Sequence, residues 1–346
     1  MTPTLELGLD TFGDVMAGAD GRPLSQAQSI RNVVEQAVLA DRVGVDYIGV
    51  GEHHREDFAI SAPEVVLAAI AARTTRIRLG SAVTVLSSDD PVRVFERFST
   101  LHAIANGRAE VMVGRGSFIE SFPLFGYDLN DYAILFEEKL ELFVKLLREE
   151  RVTWRGTTRA PLHEQRVYPR IDGEPLVAWV GVGGTPESVV RAAHHGLPMM
   201  LAIIGGDPAR FRPFADLYRR ALAELGKPPL PIGLHSPGYV AETDEQAREE
   251  FFPDYKQMHE RIGAERGWRG GMTREHFDRE TEHGSLYVGS PETVARRIAA
   301  TARLLGISRF NLKYSAGLLA HEKLMRSIEL YGTRVIPLVR ELLAER

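Results

Sequence analysis

Three apolar runs in this chain each stop in residues that can do chemistry. Tyr47 to Gly51 runs into Glu52-His53-His54, Val111 to Gly114 into Arg115-Gly116-Ser117, and Val177 to Val182 into Gly183-Gly184-Thr185. The endings supply a carboxylate with imidazoles, a guanidinium, and an amide-rich turn, groups suited to holding a phosphorylated cofactor beside a reaction. In Gly183-Gly184-Thr185-Pro186-Glu187-Ser188 the turn opens a helix, so free backbone amides and the positive helix end are placed to receive a phosphate. Thr185 and Ser188 add hydroxyl donors. The same residues also read as a plain helix cap, the role Ser290 has in the similar Gly289-Ser290-Pro291-Glu292-Thr293. Arg115 carries a planar fork of donors that matches phosphate oxygens, and its competing role is an internal ion pair with Glu52.

Glu52-His53-His54 invites a metal reading, but neighbours on an extended chain point to opposite faces and adjacent histidines rarely share one ion. With no second cluster of ligand spacing nearby, the expectation is no metal. One imidazole then faces the site, where it moves a proton or hydrogen-bonds a cofactor ring. The chain has no G-x-S-x-G elbow and no cysteine, which removes serine-elbow hydrolysis, thiolate chemistry and disulfides. Redox chemistry must come from a bound cofactor. A phosphate seat with few polar groups inside an apolar scaffold points to a flavin nucleotide, whose ring needs a flat, mostly apolar slot.

The elements that must position these groups repeat. Candidate strands cover Leu5 to Gly13, Tyr47 to Gly51, Ile77 to Leu86, Ala109 to Gly114, Leu176 to Val182, Met199 to Ile204, Ile232 to Val240 and Arg309 to Tyr314, with helical segments between. That alternation predicts an α/β fold, a (β/α)8 TIM barrel whose strand ends share one mouth. An open doubly wound sheet is the alternative, but Asp10 to Gly21 lacks the G-x-G-x-x-G turn it would carry. Proline opens helices repeatedly, as in Ala62-Pro63, Asp90-Pro91, Thr185-Pro186, Asp207-Pro208 and Ser290-Pro291. Residues 1–346 read as a single domain with loop insertions at the C-terminal mouth. Val152 to Gly173 is an excursion too long for a simple connection. Residues 266–286 place Gly267, Gly270, Gly271 and Gly284 among charges, a candidate mobile lid. The helix from Pro63 to Ala72 is apolar nearly all round, so a neighbouring segment or a second subunit is expected to cover its outer side.

With 44% hydrophobic and 26% charged residues and a net charge of −5, the composition is that of a globular protein without a nucleic-acid surface. No apolar run approaches the roughly 18 residues of a membrane span, and Met1 to Asp14 lacks a leader pattern, so a cytoplasmic location is expected.

Several of these phrases occur in an order that resembles the bacterial luciferase-like flavin monooxygenases across nearly the whole chain. They are Glu52-His53-His54, Leu79-Gly80-Ser81-Ala82 through Asp90-Pro91-Val92-Arg93, Gly107-Arg108 leading to Val113-Gly114-Arg115-Gly116, Gly196 to Met199, and Val288-Gly289-Ser290-Pro291-Glu292. The resemblance implies a barrel, usually dimeric, that binds reduced FMN supplied by a separate flavin reductase and lets it react with O2. It implies that Arg115, Thr185 and Ser188 hold the FMN phosphate. It further implies Glu52 near the flavin, His53 as the catalytic histidine, and Val83 against the flavin ring. Luciferases themselves carry a cysteine at the position of Gly114 and an acidic residue at that of Gly184, so the implied reaction is oxygenation of another small organic substrate. Deazaflavin-dependent hydride transfer and a non-catalytic flavin-binding partner subunit are the competing functions.

Overall fold

In the computed structural model, which describes residues 5–116, 118–267 and 270–345, the chain alternates strands and helices from end to end. Its first half runs β1 (Glu6–Thr11), α1 (Gln26–Arg42), β2 (Tyr47–Val50), α2 (Pro63–Ala71), β3 (Arg78–Ser81), β4 (Thr84–Val85), α3 (Pro91–Ile104), β5 (Ala109–Gly114), α4 (Ser121–Phe125) and α5 (Tyr132–Arg148). Then follow β6 (Val152–Trp154), β7 (Leu162–Gln165), β8 (Val177–Val182), α6 (Pro186–His195), β9 (Met199–Ala202), α7 (Arg212–Glu224) and β10 (Ile232–Val240). The chain closes with α8 (Asp244–Arg266), α9 (Arg274–Glu282), β11 (Tyr287–Gly289), α10 (Pro291–Leu305), β12 (Arg309–Lys313), α11 (His321–Leu330) and α12 (Ile336–Ala344). Ser117 of the second loaded ending, Trp268 and Arg269 of the glycine-rich segment, and residues 1–4 of the amino terminus lie outside the described residues.

Parallel pairing runs β1-β2-β3-β5-β8-β9-β10-β12 and returns to β1, closing an eight-stranded barrel. These are the eight strands expected from the sequence. One departs from expectation: the run Ile77 to Leu86 is not continuous, because Ala82 and Val83 leave the ladder after β3 and pairing resumes at β4, with Thr84 opposite Val113. The excursion after α5 is the antiparallel hairpin β6-β7, and β11 extends the end of β10. Prolines open the helices where the sequence places them, with Asp90 accepting from the amides of Val92 and Arg93 at the start of α3. On α2, Val65 stays 67% exposed beside exposed Ala62, Ala69 and Ala72, so no segment among the described residues covers that face.

The barrel interior changes character along its axis. At the floor, Arg309 is 1% exposed and donates from Nη1 and Nη2 to the Glu110 carboxylate at 2.6 and 2.9 Å and from Nε to Glu6 at 2.7 Å. Its guanidinium lies 4.5 Å from the Tyr47 ring centre and 4.4 Å from that of Trp179. Burial opposes the charge on Glu110, yet Arg309, Arg78 and the Trp179 indole outweigh it and hold the carboxyl below its ordinary range. Toward the mouth the walls shrink to Gly49, Ala82, Gly114 and Gly181. A Cβ on Gly114 would sit 2.7 Å from Cγ2 of Val83 and one on Gly181 would sit 3.3 Å from its Cγ1, so these glycines leave room for Val83 to lean across the barrel.

Candidate active site

Because β5 and β8 pair directly, the residues that follow them meet although about 70 positions apart in sequence. Arg115, just past β5, donates from Nη2 to the Ser188 hydroxyl at 3.3 Å. Thr185 caps α6, its Oγ1 accepting from the Ser188 amide at 3.4 Å and lying 2.7 Å from the Ser188 Oγ. The Arg115 guanidinium also faces the Tyr132 ring, 5.4 Å from its centre, while the Tyr132 hydroxyl donates to the Gly116 carbonyl at 2.8 Å. Gly184 has φ +99°, a conformation that favours glycine, and a Cβ added to Gly183 would meet nothing within 4 Å. A guanidinium, two hydroxyls and an open glycine turn therefore converge on one helix N-terminus. Arg115 does not pair with Glu52.

Glu52 is engaged elsewhere. Its Oε2 accepts from the Val85 amide at 2.9 Å and its Oε1 lies 2.8 Å from His54 Nε2, so it fixes the backbone of β4 and orients His54. Glu52 and His54 thus pair with each other, while His53 contacts a different set of groups. His53 Nδ1 lies 3.2 Å from Glu120 Oε1. Its ring stacks on Phe58 at 4.4 Å and meets the Phe12 and Phe118 rings edge-on at 5.1 and 4.9 Å. Burial works against the Glu120 charge, but its hydrogen bond with His53 and its amide bonds prevail, holding the carboxyl below the usual range. Among the described residues no group of three or more His, Cys, Asp or Glu side chains is arranged to hold a metal ion.

Sequence reasoning missed Glu120, Phe12 and the pair Asp10 and His235. His235 Nδ1 lies 2.7 Å from Asp10 Oδ2, the Asn311 side-chain amide donates to Asp10 Oδ1 at 3.2 Å, and Phe12 stacks on the His235 ring at 5.8 Å. Nearby, the Lys313 ammonium is held by the Asp14 carboxylate at 2.8 and 2.9 Å. One signal was present: Asp10 is a carboxylate directly after the apolar stretch Leu7-Gly8-Leu9 of β1.

The segment 266–286 includes α9, whose Phe277 is fully buried and whose first turn is capped by Thr273. Within it Glu280 accepts from the Gly206 amide at 3.0 Å. The helix before it reaches back to the loop after β2, where Arg55 forms a two-pronged pair with Glu265 at 2.5 and 2.6 Å and Arg261 donates to Glu56 at 2.8 Å.

Comparison with known proteins places this geometry in a wider group. The family described as luciferase-like monooxygenase matches residues 12–309. N-acetyl-S-alkylcysteine monooxygenase of Bacillus subtilis is 32% identical over 53% of this chain and 53% of its own length. Limonene 1,2-monooxygenase of Rhodococcus erythropolis is 31% identical over 69% of this chain and 64% of its own. Among solved structures, monooxygenase RslO1 from Streptomyces bottropensis superposes with a TM-score of 0.79 at 26% identity, covering 96% of this chain and 99% of that one. The oxygenating constituent of 3,6-diketocamphane monooxygenase from Pseudomonas putida, in complex with FMN, gives 0.78 at 19% identity over 96% and 98% of the two chains. An F420-dependent secondary alcohol dehydrogenase gives 0.74 at 19% identity over 97% and 99%, so this barrel architecture is shared by enzymes of both cofactors.

Proposed function

The chain belongs to the luciferase-like monooxygenase family, and from that premise we propose that it is a two-component monooxygenase, taking reduced FMN from a separate reductase and using O2 to oxygenate a small organic substrate. The observation that carries this reading is the convergence of Arg115, Ser188 and Thr185 on the start of α6, beside a barrel mouth whose walls are glycine and alanine. Those residues fit a phosphorylated flavin: donors at one end, an apolar slot at the other. When bound, the flavin supplies the electrons that activate O2. In this assignment Arg115, Thr185, Ser188 and the amides of Gly183 and Gly184 hold the phosphate, and Val83 packs against the ring. Glu52 keeps β4 in place beneath it. His53, oriented by Glu120, moves the proton that oxygen transfer requires.

The uncovered stripe of α2 at Ala62, Val65, Ala69 and Ala72 is assigned to a second copy of the chain, making a homodimer. Residues 266–286 are assigned as the lid that excludes water, hinged against α8 where Arg55 holds Glu265. The site is placed in the cytoplasm, where a reductase can feed it.

The test is anaerobic. Purified protein is mixed with reduced FMN or with reduced coenzyme F420, a deazaflavin, and absorbance is followed after O2 is added. The proposal expects tight binding of reduced FMN and a delay before oxidised flavin absorbance returns. Binding of F420 with no FMN binding would assign hydride transfer instead, and immediate flavin oxidation at the rate of free FMN would mark a non-catalytic flavin carrier.

A further inference from the structure

The mouth contains a second imidazole that the assignment above does not use. His235 stands opposite Ala202, the last residue of β9, and opposite Asn311 on its other side, so it faces the upper barrel rather than the charged floor. Its Nδ1 is committed to Asp10 at 2.7 Å, and Asp10 is fully buried, while the ammonium of Lys313 is held by Asp14. A neutral imidazole that donates through Nδ1 carries its lone pair on Nε2. Among the described residues nothing hydrogen-bonds that nitrogen, and the residue keeps 8% exposure. The arrangement is that of a base whose other nitrogen is oriented by a buried carboxylate, which also stabilises the imidazolium once formed.

Resting on the monooxygenase reading, we propose that His235, positioned by Asp10, is a second base of this site, distinct from His53, that ionises the substrate, and that the substrate is a planar aromatic or enol-type molecule bearing an ionisable hydroxyl. The hydroxyl O–H bond breaks, its electron pair stays on the substrate oxygen, and the proton passes to Nε2, giving an imidazolium paired with Asp10. The resulting oxyanion enriches the ring carbons in electrons, as attack on an electrophilic oxygen donor requires. Chemistry narrows the choice. An aliphatic alcohol holds its proton too firmly for an imidazole to remove, whereas a carboxylic acid arrives already ionised and is repelled by Asp10. A phenol-like hydroxyl lies between. The surrounding rings suit a flat partner: Phe12 stacks on His235 with 20° between planes and meets His53 edge-on, and Phe58 stacks on His53.

The test uses FMN-loaded protein and 4-nitrophenol, whose phenolate is coloured and whose neutral form is not, in buffer below the probe's own ionisation range. Wild-type protein should bind the probe as phenolate. His235→Asn, whose amide still reaches Asp10 but accepts no proton, should lower the bound phenolate-to-phenol ratio at least ~10-fold, while nitrobenzene and FMN bind both proteins equally. Since a substitution inside a barrel can unfold it, nitrogen NMR of the wild-type imidazole is a second measurement, expected to show the proton on Nδ1. A probe that binds only as phenol, fails to bind, or stays ionised in His235→Asn overturns the proposal, as does a proton on Nε2. Loss of FMN binding with the phenolate signature retained would instead remove the monooxygenase reading and leave the base.

Discussion

Two helices of this barrel begin with nearly the same residues and end up with opposite electrostatics. At the start of α10, Ser290 caps the helix and the protein supplies its own anion: Asp244 accepts from the Ser290 amide at 2.6 Å and from the Thr293 hydroxyl at 2.9 Å. At the start of α6, Thr185 caps in the same way, but what approaches is the cation Arg115, 3.3 Å from the Ser188 hydroxyl. A helix N-terminus attracts negative charge in both cases. The difference teaches that the glycine, hydroxyl and proline pattern alone specifies only a cap; the partner delivered by the neighbouring strand decides whether that cap is satisfied internally or is set to receive an anion from outside.

The largest expected effect comes from converting one end into the other. Ser188→Asp would place a carboxylate beside Arg115, imitating Asp244, and should weaken FMN binding by about 3–4 kcal/mol through charge repulsion and occupation of Arg115. An isothermal titration showing unchanged affinity would break the comparison. Next, His53→Ala separates binding from chemistry. FMN affinity should persist while product formation falls about 10²-fold, and full product formation would return His53 to a packing role. Smallest is Asp244→Ala, which should cost about 1 kcal/mol of stability at neutral pH, a solvent-exposed hydrogen-bonded cap being worth little more, and should leave FMN affinity alone. Burial opposes the Asp244 charge, but the bonds from Ser290 and Thr293 prevail and hold its carboxyl below the usual range. Its contribution is therefore present above the unfolded value and lost as pH falls through the lower folded one. In urea melts the wild type and the Asp244→Ala variant should converge at acid pH, and a gap that stays constant down to acid pH would contradict that linkage.

Much of this was legible in the chain. The eight barrel strands and the helix-opening prolines follow from local patterns, apolar runs and N1 preference, that act over a few residues. The Arg115, Thr185 and Ser188 cluster was also legible, because each member sits at a strand end and barrel closure brings strand ends together. Other features were not. Asp10 and His235 are 225 positions apart and meet only because β1 and β10 both flank β12. At Ala82 and Val83 the sequence reads as continuous strand, since both residues are apolar and nothing local marks the departure. The ionic floor of Arg309, Glu110, Glu6 and Arg78 was hidden for a related reason: each charge lies on a different strand, and only barrel closure assembles the four.

The account turns on whether the start of α6 is a phosphate seat, and the most direct measurement compares FMN with riboflavin, which differ by that phosphate, on wild type and Arg115→Ala. Wild-type protein should bind FMN about 10²-fold more tightly than riboflavin, and Arg115→Ala should lose about 2–4 kcal/mol of FMN affinity while riboflavin binding stays the same. Equal affinity of the wild type for the two flavins, or an Arg115→Ala variant that discriminates between them as strongly as the wild type does, would contradict it.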